Sequence, residues 1–176
     1  FYFLLISLMI PEIIMLLPHL LIIRGDIFPL PFGSSWMNSL KGLTIPFMGN
    51  IFVIFLLRQY FKKIPMELWD AARIDGASHL YFLYKVVVPI SLPIIVTVSL
   101  FSFILSWNAF AWPLLILTKE DWFPVTVSIY GFIREVGPNV NLLMAASVIS
   151  IIPILALYFF TQRLFLETIS NFGLKQ

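Results

Sequence analysis

Few residues in this chain could do chemistry, and several of them are polar groups set in apolar surroundings. Glu12 stands between Pro11 and Pro18 in a long hydrophobic run, where an ionisable side chain is costly unless it faces protein, water or a partner. It is a candidate for lining a solute path, and a hydrogen-bonded structural carboxyl at a proline-broken turn is the equal alternative. Asn108 is the second candidate, because Trp107 and Trp112 flank an amide that could bond a sugar while their rings stack on it. Tryptophan also collects at membrane interfaces, and Trp112 is read that way. His19 is read as interfacial too, with no second histidine at metal-ligand spacing. The absence of cysteine excludes disulfides, thiolate metal sites and cysteine nucleophiles. No pair of His, Asp or Glu residues at catalytic or metal spacing shares one depth, which argues against a membrane enzyme. No metal or other cofactor is expected.

A denser group of charges lies in the middle of the chain. Arg58, Lys62, Lys63, Arg73 and Lys85 are interspersed with Glu67, Asp70 and Asp75. Pro65 suits a first helical turn, Glu67 and Asp70 complement the positive end of a helix, and Asp75-Gly76 is a natural stop. A short helix is expected over 64–76, and Ser78 offers the N-cap of a second. Ala71 and Ala72 leave a low surface on which another backbone can seat, with Leu68 and Trp69 as bulk beside it. A docking surface and an amphipathic helix lying on lipid headgroups both fit this pattern.

The elements that must carry these residues follow from composition. The chain is 60% hydrophobic and 11% charged, against about 25% charged in a soluble domain. So few charges cannot cover a water-soluble globule, and lipid must cover much of the surface. The net charge of +2 comes from scattered basic residues that form no stripe, so nucleic acid is not an expected partner.

A bilayer core takes about 20 apolar residues as helix, the structure that satisfies its own backbone. Four stretches qualify, about 1–23, 43–60, 84–113 and 142–160, in a single domain over 1–176 with a charged segment at 61–83. The expected fold is all-α, a polytopic transmembrane helical bundle. Excess Lys and Arg mark cytoplasmic loops, which puts 61–83 and the tail with Arg163 and Lys175 inside. The loops flanked by Arg24 and Lys41, and by Lys119 and Arg134, then lie outside, where Asp26, Glu120, Asp121 and Glu135 balance their charge. The chain opens at Phe1 on an apolar run too long for a signal peptide, and is expected to lack the beginning of its protein.

Asp70-Ala71-Ala72, three residues, Gly76, nine residues and Val86-Val87-Val88-Pro89 resemble the signature Glu-Ala-Ala-x3-Gly-x9-Ile-x-Leu-Pro of importer-type ABC permeases. The strings FLLRQYFKKIP, DAARIDGAS and SWNAFAWPLLIL are similar to the sugar and glycerol-phosphate branch of that family, and the likeness runs from Ile45 to Gln176. Asp70 stands for Glu, and Val86 and Val88 for Ile and Leu, with charge or apolarity kept.

The resemblance implies a permease subunit of a bacterial inner membrane, with 61–83 as a coupling segment that seats on a separate ATPase. Glu67, Asp70, Ala71, Ala72 and Gly76 would form the coupling surface. It also implies a second permease subunit, an extracytoplasmic solute-binding protein and two further N-terminal spans. The sequence has no G-x-x-x-x-G-K-[ST] phosphate loop, so hydrolysis is expected on another subunit. An ion-coupled secondary transporter is the rival reading, since Glu12 could carry protons, but it needs no coupling motif on a cytoplasmic loop.

Overall fold

The computed structural model describes residues 2–26, 35–135 and 140–173. Residues 27–34, Leu174 and Lys175 lie outside them, as do the side chains of Arg134, Glu135 and Arg163. Every regular element among the described residues is helical. The chain divides into two compact units, Phe1–Ile51 with Leu105–Ile152, and Phe52–Ile104 with Pro153–Gln176.

Prolines set where the helices break. The run expected over 1–23 is two helices, α1 (Tyr2–Leu8) and α2 (Glu12–Arg24), because Pro11 has no N–H to continue α1 and suits the entry to α2. Gly25 ends α2 at φ 83°, where the Gly25 and Asp26 amides donate to the Ile22 and Leu21 carbonyls. This is the left-handed stop that glycine adopts without a Cβ penalty. The next span is also divided: α3 (Leu40–Thr44) runs into a 3-10 turn at Ile45–Phe47, and α4 (Ile51–Phe61) begins after it.

In the first unit, Ile23, Trp112, Ile116 and Leu117 form a buried cluster packed by Leu16, Leu20, Trp36, Met37, Leu43 and Phe123. Trp112 belongs to α9 (Ala111–Ile116). The interfacial reading of Trp112 is therefore corrected, because the residue is 4% exposed and its indole N–H donates to the Gly42 carbonyl at 3.1 Å. A buried indole needs such an acceptor, and on its other side Gly42 lets the Trp36 backbone come close, since a Cβ there would overlap the Trp36 carbonyl oxygen. His19 joins the same group edge-on, 6.2 Å from the Phe47 ring and 6.0 Å from that of Trp112.

The stretch expected as one span over 84–113 is likewise divided. Its long part is α8 (Leu92–Trp107), after which the chain turns at Asn108 before α9. A 3-10 turn at Glu120–Trp122 leads to α10 (Val125–Glu135), where the Thr126 hydroxyl donates to the Ala109 carbonyl at 2.7 Å. The last helix, α11, runs over Val140–Gly173. Its segment Val140–Gln162 has 23 residues with mean hydropathy 2.4 and none of its apolar window buried. At 1.5 Å per residue it is about 35 Å long, enough for a hydrocarbon core of about 30 Å.

Candidate functional site

The charged segment folds as two short helices joined by a tight reversal. After α4 the amides of Lys62, Lys63 and Ile64 bond back to Arg58, Tyr60 and Phe61, closing the helix in a turn. Pro65 and Met66 lead into α5, Glu67–Ile74, which is shorter than the 64–76 expected because its two ends are turns. Glu67 and Asp70 occupy the first turn, where free amides favour negative charge.

Gly76 ends the helix at φ 77°. Its amide donates to the Arg73 carbonyl at 3.0 Å, and the Ala77 amide donates to the Ala72 carbonyl at 2.9 Å. That pair of bonds is a Schellman stop, which satisfies carbonyls that the helix end would leave open. Two residues later the Ser78 hydroxyl accepts from the Tyr81 amide at 3.3 Å and caps α6 (His79–Phe82).

Trp69 holds the two helices together. Its ring centroid is 4.5 Å from that of His79 and 5.0 Å from that of Phe82, the latter edge-on. It therefore serves the interior of the pair and not the seating surface for which it was a candidate. Ala72 is half-buried and Ala71 is exposed. Met66, Asp70 and Ile74 follow one another at helical spacing on the outer side, with Ile74 87% exposed. Glu67 is exposed too. On α6 and just beyond it, Leu80, Tyr81 and Tyr84 are more than half exposed. An acidic and apolar relief with a small residue at its centre is suited to seating in another protein's groove, since apolar groups this exposed gain by burial.

The structure thus brings Glu67, Asp70, Ala71, Ala72 and Gly76 onto one helix and its stop. Glu12 and Asn108 belong to the other unit. Glu12 is exposed at the first turn of α2, directly after the Pro11 break, and Asn108 is exposed in the turn after α8. Sequence reasoning missed Asn38. It sits at φ 52°, and its Oδ1 accepts from the Thr118 amide at 2.6 Å, the Thr118 hydroxyl at 3.0 Å and the Lys119 amide at 3.2 Å. The signal available was an Asn in a loop, the residue type that most readily tolerates the left-handed region after glycine.

From α6 the chain continues as a π-helical turn at Leu83–Val87 and a last short turn, α7 (Val88–Ile90). The run His79–Ile90 meets Leu92–Trp107 at 79°. Ser91 lies at that bend and is fully buried. Pro93 explains its position, because it has no N–H for the carbonyl of Pro89 and its ring crowds that oxygen.

Comparison with known proteins identifies the family of the chain. Residues 1–170 match the family model described as "Binding-protein-dependent transport system inner membrane component". The chain is 33% identical over 177 residues to the arabinooligosaccharides transport system permease protein AraQ of Halalkalibacterium halodurans, covering 99% of this chain and 61% of that protein. It is 34% identical over 169 residues to the sn-glycerol-3-phosphate transport system permease protein UgpE of Shigella flexneri, covering 95% of this chain and 57% of that one. The chain therefore spans about three fifths of the length of these relatives. Among solved structures it resembles a chain of a bacterial ABC transporter involved in the import of the acidic polysaccharide alginate, with TM-score 0.71 and 29% identity over 85% of this chain and 55% of that one.

Proposed function

Because the chain belongs to the family of binding-protein-dependent transport system inner membrane components, we propose that it is part of the permease subunit of an ATP-driven importer. The solute is a sugar or a related polar compound such as glycerol phosphate, the classes named for AraQ and UgpE. The observation that carries the reading is the exposed relief of α5, with Asp70 and Ala71 facing outward and Gly76 turning the chain sharply into α6.

In this reading α5 seats in a groove of a separate ATPase and passes its closing motion to the spans. Glu67 and Asp70 meet donors on that partner, Ala71 and Ala72 let the two backbones come close, and Gly76 sets the reversal. A second permease subunit completes the pathway, and an extracytoplasmic binding protein delivers the solute. The segment 61–83 lies in the cytoplasm, by the excess of basic residues around it. Glu12 and Asn108 border the solute path, as polar groups among apolar helices.

The test is to purify the importer with Ala71→Trp, where the exposed site leaves the helix pair intact. Loss of the ATPase from the purified complex, or uptake reduced at least tenfold with the ATPase still bound, is the expected result, the factor that about 1.4 kcal/mol of misfit would produce. Normal uptake with normal ATPase recovery would return α5 to a helix lying on lipid headgroups. For the path, Glu12→Gln and Asn108→Leu should change uptake kinetics in an assembled complex, and unchanged kinetics in both would make the two residues structural.

A further inference from the structure

Docking of α5 explains the outer face of the helix pair but leaves the bend behind it unexplained. Three features meet there. The π-helical turn at Leu83–Val87 is of a kind found frequently at functional sites. The Ile90 carbonyl, one residue before the bend, accepts the Tyr60 hydroxyl at 3.2 Å, so the bend is tied to α4 by a side chain 30 residues away in sequence. The Ser91 hydroxyl is buried and has no hydrogen-bond partner among the described residues, although the Ser91 amide donates to the Val87 and Val88 carbonyls at 2.9 and 3.2 Å.

We propose that Tyr60 and Ser91 are opposed positioning residues of a hinge that sets the angle between the α5–α6 pair and α8. The inference rests on the coupling reading given above. Tyr60 favours the bent arrangement, because its bond to Ile90 holds a carbonyl that the bend has taken from the regular helix. Ser91 disfavours the same arrangement, because a buried hydroxyl without a partner is a standing cost. A serine in a helix reaches the carbonyl four residues back when the backbone allows it, here that of Val87. A straighter backbone at this point therefore satisfies the hydroxyl and strains or breaks the Tyr60 bond. Two biases of similar size and opposite sign keep the two angles near in energy, which a part that must move in each transport cycle requires.

The opposition makes the test directional. The sequence has no cysteine, so spin labels at Ile74→Cys on α5 and Ser99→Cys on α8, both exposed, report the hinge in the complete importer reconstituted in lipid. Tyr60→Phe should move the ratio of bent to straighter distances about fivefold toward the straighter form, the factor carried by one ordinary hydrogen bond. Ser91→Ala should move it by a similar factor toward the bent form. Each should lower solute imported per ATP hydrolysed, without loss of the ATPase from the complex.

Distances unchanged in both variants, or moved in the same direction, would overturn the hinge. The Ala71→Trp variant separates this result from the coupling reading. Normal transport by Ala71→Trp alongside opposite shifts in the other two would keep the hinge and remove the coupling. Impaired transport by Ala71→Trp with unmoved distances in the other two would do the reverse.

Discussion

Gly76 and Asn38 both occupy the left-handed region, and they differ in what a substitution would meet. A Cβ at Gly76 finds nothing within 4 Å, so the cost of a side chain there is the backbone's alone, about 1–2 kcal/mol for a residue forced to positive φ. Gly76→Val should therefore speed hydrogen exchange at the Gly76 and Ala77 amides, whose bonds form the stop, and reduce uptake. Protection equal to that of the unaltered protein would show that the turn tolerates a branched side chain. Asn38 acts through its carbonyl oxygen, which accepts from three donors in a neighbouring loop. Asn38→Ala frees them together and should destabilise the first unit by about 1–3 kcal/mol, whereas Asn38→Asp keeps the acceptor and should cost less. Thermal unfolding in detergent compares the two, and equal losses would mean that the backbone conformation matters more than the bonds.

Among the elements, the α5–α6 pair is the clearest case of local chemistry building a rigid part. Neither helix is long enough to be stable in water by itself. Three devices compensate: the Schellman stop at Gly76, the Ser78 cap, and the Trp69 ring against His79 and Phe82. Trp69→Ala removes the largest contact and should release the pair, with aromatic truncations in packed settings costing about 3–5 kcal/mol and this partly exposed one less. Ser78→Ala should cost about 1 kcal/mol, the usual value of an N-cap. Exchange at the amides of α5 should accelerate more in the tryptophan variant than in the serine variant, and the opposite order would assign the rigidity to the cap. The same logic explains the broken spans. Pro11, Pro46 and Pro93 each stand at or beside a place where a long apolar run bends or stops.

For the whole molecule, the leading physical fact is the amount of apolar surface that no part of the described chain covers. Phe3, Met9, Phe159 and Phe160 are 64–87% exposed, and the apolar segment of α11 buries none of its window. Lipid and other subunits are the surroundings in which such a surface is stable. If the orientation given by loop charge holds, Lys62→Cys should react with an impermeant thiol reagent only from the cytoplasmic side and Glu120→Cys only from outside. Labelling of Lys62→Cys in intact cells would invert the topology. The charge rule is strong here because the basic residues lie in short connections, where it applies best.

Much of this was legible in the chain of residues, and the reasons are local. A helix that must satisfy its own backbone in lipid announces itself by length and apolarity, as 142–160 does within α11. The helix, stop and cap of 61–83 were legible because Pro65, Asp75-Gly76 and Ser78 act on neighbouring backbone, so their chemistry needs no distant partner. Gly76, expected with Asp75 as the helix stop, has the positive φ of one. Other features depend on contacts between residues far apart in sequence. Trp112 could be read as interfacial because its N–H acceptor, Gly42, is 70 residues away. Trp69 was a candidate for the docking face because its sequence position does not tell that His79 and Phe82 fold back onto it. The role of Asn38 depends on Thr118 and Lys119, and that of Tyr60 on a carbonyl exposed by a bend at Ser91. Local propensity specifies which residues turn helical and where they stop, but long-range packing alone decides which face of each helix is covered and which distant partner a polar group such as the Trp112 N–H finds.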